Sequence, residues 1–110
     1  MWYETEKGGN ILRRKKPREV FSLPLNMGFR PISDHEGKPI VTLTVDEYEA
    51  IRLIDKEAVS QEECGACMNI SRATVQRIYA SARRKIADAL VEGLPLQIEG
   101  GDYQLKKTEG

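Results

Sequence analysis

Arg72, Gln76, Arg77, Arg83, Arg84 and Lys85 crowd one stretch of the chain, and no acid accompanies them between Ile70 and Ile86. A guanidinium group donates paired hydrogen bonds to phosphate or to the edge of guanine, and a glutamine amide bridges the edge of adenine. The chemistry of such a set is recognition of a polyanion, provided one element holds the side chains on one face. A second candidate is Cys64-Gly65-Ala66-Cys67. Its spacing suits a redox dithiol or half a zinc site. A zinc site needs about four ligands, and His35 is the only other soft donor. A thioredoxin-type pair needs a preceding strand in a βαβ setting, which the flanking sequence lacks. Cys64 is therefore expected in the core and Cys67 nearer the surface. His35 stands between Asp34 and Glu36 in a turn, with no serine or cysteine nucleophile tied to it. No catalytic residue, cofactor or metal site is expected, and the chain is read as a binding protein rather than an enzyme.

The basic stretch needs a helix to carry it. Ser71 is placed to cap one, and Val75, Ile78, Tyr79, Ala82, Ile86 and Leu90 follow at helical spacing to a stop at Gly93 and Pro95. With Val75, Ile78, Ala82 and Ile86 inward, 100° per residue puts Ala73, Arg77, Ala80 and Arg84 outward, flanked by Arg72, Gln76 and Arg83. Before it, Ser60 and Glu63 form a capping box that opens a short helix. Gly65 stands mid-helix, where a second helix crossing closely needs a small residue, and Asn69 suits the left-handed turn after it. Cys64, Met68, Ile70, Val75 and Ile78 are the inward positions. The pattern is a helix-turn-helix, and double-stranded DNA is the expected partner. Ser71, Arg72, Ala73, Gln76 and Arg77 are the candidate base contacts. Ser60, Gln61, Thr74, Arg83, Arg84 and Lys85 are the candidate backbone contacts.

The surrounding elements are legible more coarsely. Residues 1–16 read as a mobile basic tail, with the cluster Arg13, Arg14, Lys15, Lys16 and Arg18 adding nonspecific attraction or, alternatively, a minor-groove arm. Prolines 17, 24, 31 and 39 keep residues 17–43 extended, ending in a short strand over residues 40–45. Thr44 and Glu47 form another capping box, and a first helix should run over residues 45–56. The helix-turn-helix domain covers residues 44–93. Residues 94–110 hold a last strand, expected to pair with residues 40–44 within one chain or between subunits, and a tail. The fold class is mainly α: three helices with short flanking β-strands.

The 110 residues carry a formal net charge of zero, but the charge is segregated. Between Thr44 and Ala66 seven carboxylates face two bases, Arg52 and Lys56. These acids are expected on a solvated face that DNA avoids, since a polyanion feels the local field. No apolar run or signal-peptide pattern points to a membrane or to export, so a cytoplasmic protein is expected. A homodimer is expected too, because two recognition helices on paired half-sites double the contacts of one.

The sequence also resembles a known family. Leu43-Thr44-Val45-Asp46-Glu47-Tyr48-Glu49-Ala50-Ile51-Arg52-Leu53-Ile54-Asp55 resembles its first-helix signature. Ser60-Gln61-Glu62-Glu63 and Ile70-Ser71-Arg72-Ala73-Thr74 resemble its helix-turn-helix, and Ile98-Glu99-Gly100-Gly101-Asp102-Tyr103 its C-terminal portion. The family is domain of unknown function one hundred and thirty-four, small prokaryotic predicted DNA-binding proteins. Its helix-turn-helix is similar to region four of bacterial sigma factors. The resemblance implies DNA binding and transcription regulation. The alternatives are a module that recruits polymerase or another protein without DNA, and a thiol- or metal-responsive regulator using Cys64 and Cys67.

Overall fold

A local rule places each helix start. In the computed structural model, which describes residues 17–106, all three helices begin at a hydroxyl cap with extended backbone. Thr44 caps α1 (Val45–Ile51), Ser60 caps α2 (Gln61–Met68) and Ser71 caps α3 (Arg72–Glu92). At the first two starts the carboxylate three residues on reaches back to the cap amide, closing a capping box.

The helices stop in a common way. Asn69 (φ 60°) and Gly93 (φ 68°) directly follow α2 and α3 in the left-handed region, and Ala58 (φ 63°) takes that conformation two residues past the first helical segment. The first stop differs from the sequence expectation. Residues 45–56 are helical throughout, but Arg52–Lys56 form a π-helical turn. The Glu57 amide reaches the Arg52 carbonyl at 2.9 Å and the Val59 amide reaches the Leu53 carbonyl at 3.0 Å. This wider turn leads into Ala58, a residue with no special tolerance for a left-handed backbone.

Five short strands flank the helices. They are β1 (Arg18–Val20), β2 (Gly28–Phe29), β3 (Val41–Leu43), β4 (Leu96–Ile98) and β5 (Tyr103–Leu105). β4 is central in a three-stranded sheet, antiparallel to β2 and parallel to β3, with Val41 opposite Leu96 and Leu43 opposite Ile98. The expected pairing of the last strand with residues 40–44 is thus made within the chain. β1 and β5 pair in parallel, Arg18 opposite Tyr103. The molecule is a largely helical mixed α/β fold, three helices with small sheets at their flanks. Expectations for residues 1–16 fall outside the described residues.

The core has two adjoining parts. Val20, Val45, Ala50, Leu53, Cys64, Met68, Val75 and Ile78 fill the space between the three helices and β1. Leu43, Ala82 and Ile98 join α3 to the sheet, with Tyr48 and Ile86 packed against them. The buried stripe of α3 ends earlier than its spacing predicts. Leu90 is 80% exposed, at the wall of an open groove whose other side includes Phe29 of β2 and Leu96 of β4.

The acids of α1 also depart from expectation. Asp46, Glu47 and Glu49 are buried rather than solvated. Glu49 accepts from the Phe21 amide at 2.9 Å and takes a bidentate pair of bonds from Arg52, both 3.0 Å, so it staples the N-terminal segment onto α1. Arg18, grouped with the basic tail on sequence, instead reaches inward to Asp102 at 3.2 Å and Asp46 at 3.5 Å. A buried carboxylate must be paired or hydrogen-bonded, and each of these finds partners from a distant segment.

Candidate nucleic-acid interface

The site begins with the turn between α2 and α3. The Ile70 amide returns to the Gly65 carbonyl at 2.9 Å, and Asn69 supplies the left-handed residue that makes the bend. Gly65 makes the close crossing possible: a Cβ there would lie 2.8 Å from the Ile70 carbonyl oxygen. Cys64, Met68, Val75 and Ile78 are buried at the crossing and Ile70 packs beside them. These contacts hold α3 rigidly while leaving its far side bare.

That far side is the expected one. Ala73, Arg77, Ala80 and Arg84 are exposed, as are Arg72, Gln76 and Arg83. Arg72 and Arg77 have no carboxylate within ion-pair distance among the described residues. Arg77 donates from its guanidinium to the Thr74 hydroxyl at 3.3 Å, and Thr74 also sits 2.9 Å from the Ser71 hydroxyl. Ser71 and Thr74 therefore cap the helix and steady Arg77, while Ser71 stays exposed. Arg83 stacks over the Tyr79 ring at 5.4 Å, and Tyr79 donates to Asp55 at 2.7 Å. Asp55 lies 3.9 Å from the Arg83 guanidinium, which remains 63% exposed. Arg84 is 81% exposed, with Asp88 one turn on at 3.8 Å.

The two helix starts of the motif differ in charge. In α2, Glu62 and Glu63 stand in the first turn, and the Glu63 carboxylate already occupies the Ser60 amide. The Ser60 hydroxyl accepts from the Glu63 amide at 3.0 Å. Ser60 and Gln61 therefore sit at a start that carries its own anions. In α3 the first turn has no acid, and its positive dipole end faces outward unneutralised.

Lys85, an expected phosphate contact, is ion-paired within the fold. Its amine donates to Glu47 at 2.8 Å, beside the Ser81 hydroxyl that donates to the same carboxylate at 2.6 Å. Burial alone would raise the pKa of Glu47; the bonds from Lys85, Ser81 and the Thr44 amide outweigh it and hold the carboxyl below the usual glutamate value. The cluster ties α1 to α3. Sequence spacing could not expose it, because Glu47 already had a local role in its capping box.

Cys64 and Cys67 are both free thiols, one turn apart on α2. Cys64 is fully buried with its sulfur 3.8 Å from that of Met68, and burial pushes its thiol up to about 11. The thiolate that redox and metal chemistry require is scarce there at neutral pH. Cys67 is half-buried, as expected. His35 Nδ1 lies 3.1 Å from the Ser33 carbonyl oxygen in an exposed turn. Among the described residues no three His, Cys, Asp or Glu side chains are grouped to hold a metal. Likewise, no helix there is long and apolar enough to cross a membrane.

A family model described as "Protein of unknown function DUF134" matches residues 9–106. A UPF0251 protein of Desulfitobacterium hafniense is 52% identical over 94 residues, spanning 84% of this chain and 75% of that protein. UPF0251 proteins of Halothermothrix orenii and Ruminiclostridium cellulolyticum are 47% and 46% identical, spanning 88% and 86% of this chain and 73% and 72% of those proteins. No solved structure matches the chain.

Proposed function

The chain belongs to the DUF134 family, proteins of unknown function, and we propose that this member binds double-stranded DNA through α3 and regulates transcription. One observation carries the reading. The first turns of α3 present Arg72, Ala73, Gln76 and Arg77 on an exposed face free of carboxylates, at the positive end of the helix dipole. A helix of this width enters the major groove, where Arg pairs with guanine, Gln with adenine, and small Ala73 allows close approach. Arg83, stacked on Tyr79, and Arg84 lie further along the same side and suit phosphates on the groove wall. Lys85 is left out of the interface, because Glu47 holds it.

A salt series on random duplex DNA tests the reading. On random duplex DNA, which offers no preferred bases, Arg72 and Arg77 rest on phosphates beside Arg83 and Arg84, and the four cations release counterions. The slope of log K against log salt should then reach about −3.6 per protomer. A flat series overturns it. Selection from a random duplex pool then tests sequence specificity, and an enriched consensus is expected.

A further inference from the structure

We propose that Asp55 and Tyr79 are positioning residues of the DNA site, a role that rests on the DNA reading. Together they hold Arg83 in place and leave its terminal amino groups to a backbone phosphate.

Three side chains from two elements meet here. Tyr79 and Arg83 are one turn apart on α3, and the Arg83 guanidinium lies over the Tyr79 ring, 5.4 Å from its centre. The Tyr79 hydroxyl donates to Asp55 Oδ1 at 2.7 Å, and Asp55 Oδ2 lies 3.9 Å from Arg83 Nε. The bond to Asp55 raises the pKa of Tyr79, so the hydroxyl stays protonated and donating at neutral pH. The ring supports the face of the guanidinium and the carboxylate stands nearest its Nε. Arg83 remains 63% exposed, so the paired donors of a phosphate contact stay open.

The backbone that delivers Asp55 is the irregular one. Asp55 stands in the π-helical turn Arg52–Lys56, and Ala58 follows at φ 63°. Isolated π turns recur at functional sites, and a left-handed alanine carries a local cost that the surrounding fold must offset. Leu53 of the same turn is buried in the core, which anchors the turn while Asp55 reaches across to α3.

Arg84 shows what the network adds. It too has a carboxylate near, Asp88 at 3.8 Å, but this lies on its own helix and Arg84 stays 81% exposed. Among the described residues no aromatic ring supports it. An arginine already held in place loses less freedom when it meets a phosphate, so its contact is stronger.

Binding of random duplex DNA by the full chain tests the proposal. Asp55→Asn and Asp88→Asn each remove one negative charge, and simple repulsion would make both strengthen binding. Asp88→Asn should do so, whereas Asp55→Asn should weaken binding roughly threefold to tenfold. Tyr79→Phe keeps the ring and the net charge. It should weaken binding by a similar factor with an unchanged salt slope, and should have no further effect in an Arg83→Ala background. A merely structural role would cost the same in both backgrounds. Without DNA, the NMR order parameter of the Arg83 Nε–H group should mark a fixed side chain and fall in both Asp55→Asn and Tyr79→Phe. Three results overturn the proposal: stronger binding by Asp55→Asn, an equal loss from Tyr79→Phe with and without Arg83, or an Arg83 as mobile in the wild type as in Tyr79→Phe. Any of these beside a normal wild-type salt slope defeats the positioning role alone. A flat wild-type series defeats the DNA reading and this role with it.

Discussion

α1 and α3 are both densely charged, yet their charges do opposite jobs. The carboxylates of α1 point inward and are bonded to other segments: Asp46 to Arg18, Glu47 to Ser81 and Lys85, Glu49 to Arg52 and the Phe21 amide. The guanidiniums of α3 point outward, and Arg72 and Arg77 have no carboxylate partner among the described residues. A charged residue count therefore says little by itself. What separates a structural charge from one available to a ligand is whether the folded chain already satisfies it.

The largest test of that contrast is Glu49→Ala. Removing one member of a buried, hydrogen-bonded pair should cost about 3 kcal/mol of folding stability. Urea unfolding checks this, and the folded fraction should bind DNA as the wild type does. Arg77→Ala should do the reverse. It should cost about 2 kcal/mol of binding to the preferred sequence with no change in the urea midpoint. Lys85→Ala, measured beside it, should leave DNA affinity nearly unchanged; an equal loss from both variants would return Lys85 to the interface.

Glu47 gives a smaller effect with a pH signature. Its folded-state pKa lies below the ordinary value, so the folded state binds fewer protons than the unfolded one through that range. The contribution is complete above the ordinary glutamate value and is lost as pH falls through the lower folded value. Glu47→Gln should remove about 1.5 kcal/mol near neutrality, the worth of hydrogen bonds to a charged group. It should also flatten the acid limb of the stability curve. A limb of unchanged steepness would assign that pH dependence to other carboxylates.

The smallest test compares the helix ends. α3 stops on Gly93, whereas α1 with its π turn stops on Ala58 in the same left-handed region. Ala58→Gly should stabilise the fold by about 1 kcal/mol, because only the Cβ is strained there. Thermal unfolding reads this directly.

Much of the candidate interface was legible from spacing alone. The Thr44, Ser60 and Ser71 caps, the Asn69 turn, the Gly65 crossing and the outward face through Ala73, Arg77, Ala80 and Arg84 all lie where the sequence places them. Five features were not legible: the π-helical turn over Arg52–Lys56, the buried acids, the inward Arg18, the occupied Lys85 and the bare Leu90. Helical periodicity puts Leu90 on the buried stripe, but it cannot say that the packing against β2 and β4 leaves an open groove there.

The division has one physical reason. Caps, turns and helix faces depend on residues three or four apart, so the chain by itself determines α3 and its cation-bearing face. The state of each charge depends on partners far along the chain. Glu49 meets a backbone amide 28 residues away, Glu47 an amine 38 residues away, and Arg18 a carboxylate 84 residues away. Only the closed tertiary structure could decide which charges were consumed inside the fold and which, like Arg72 and Arg77, were left facing outward.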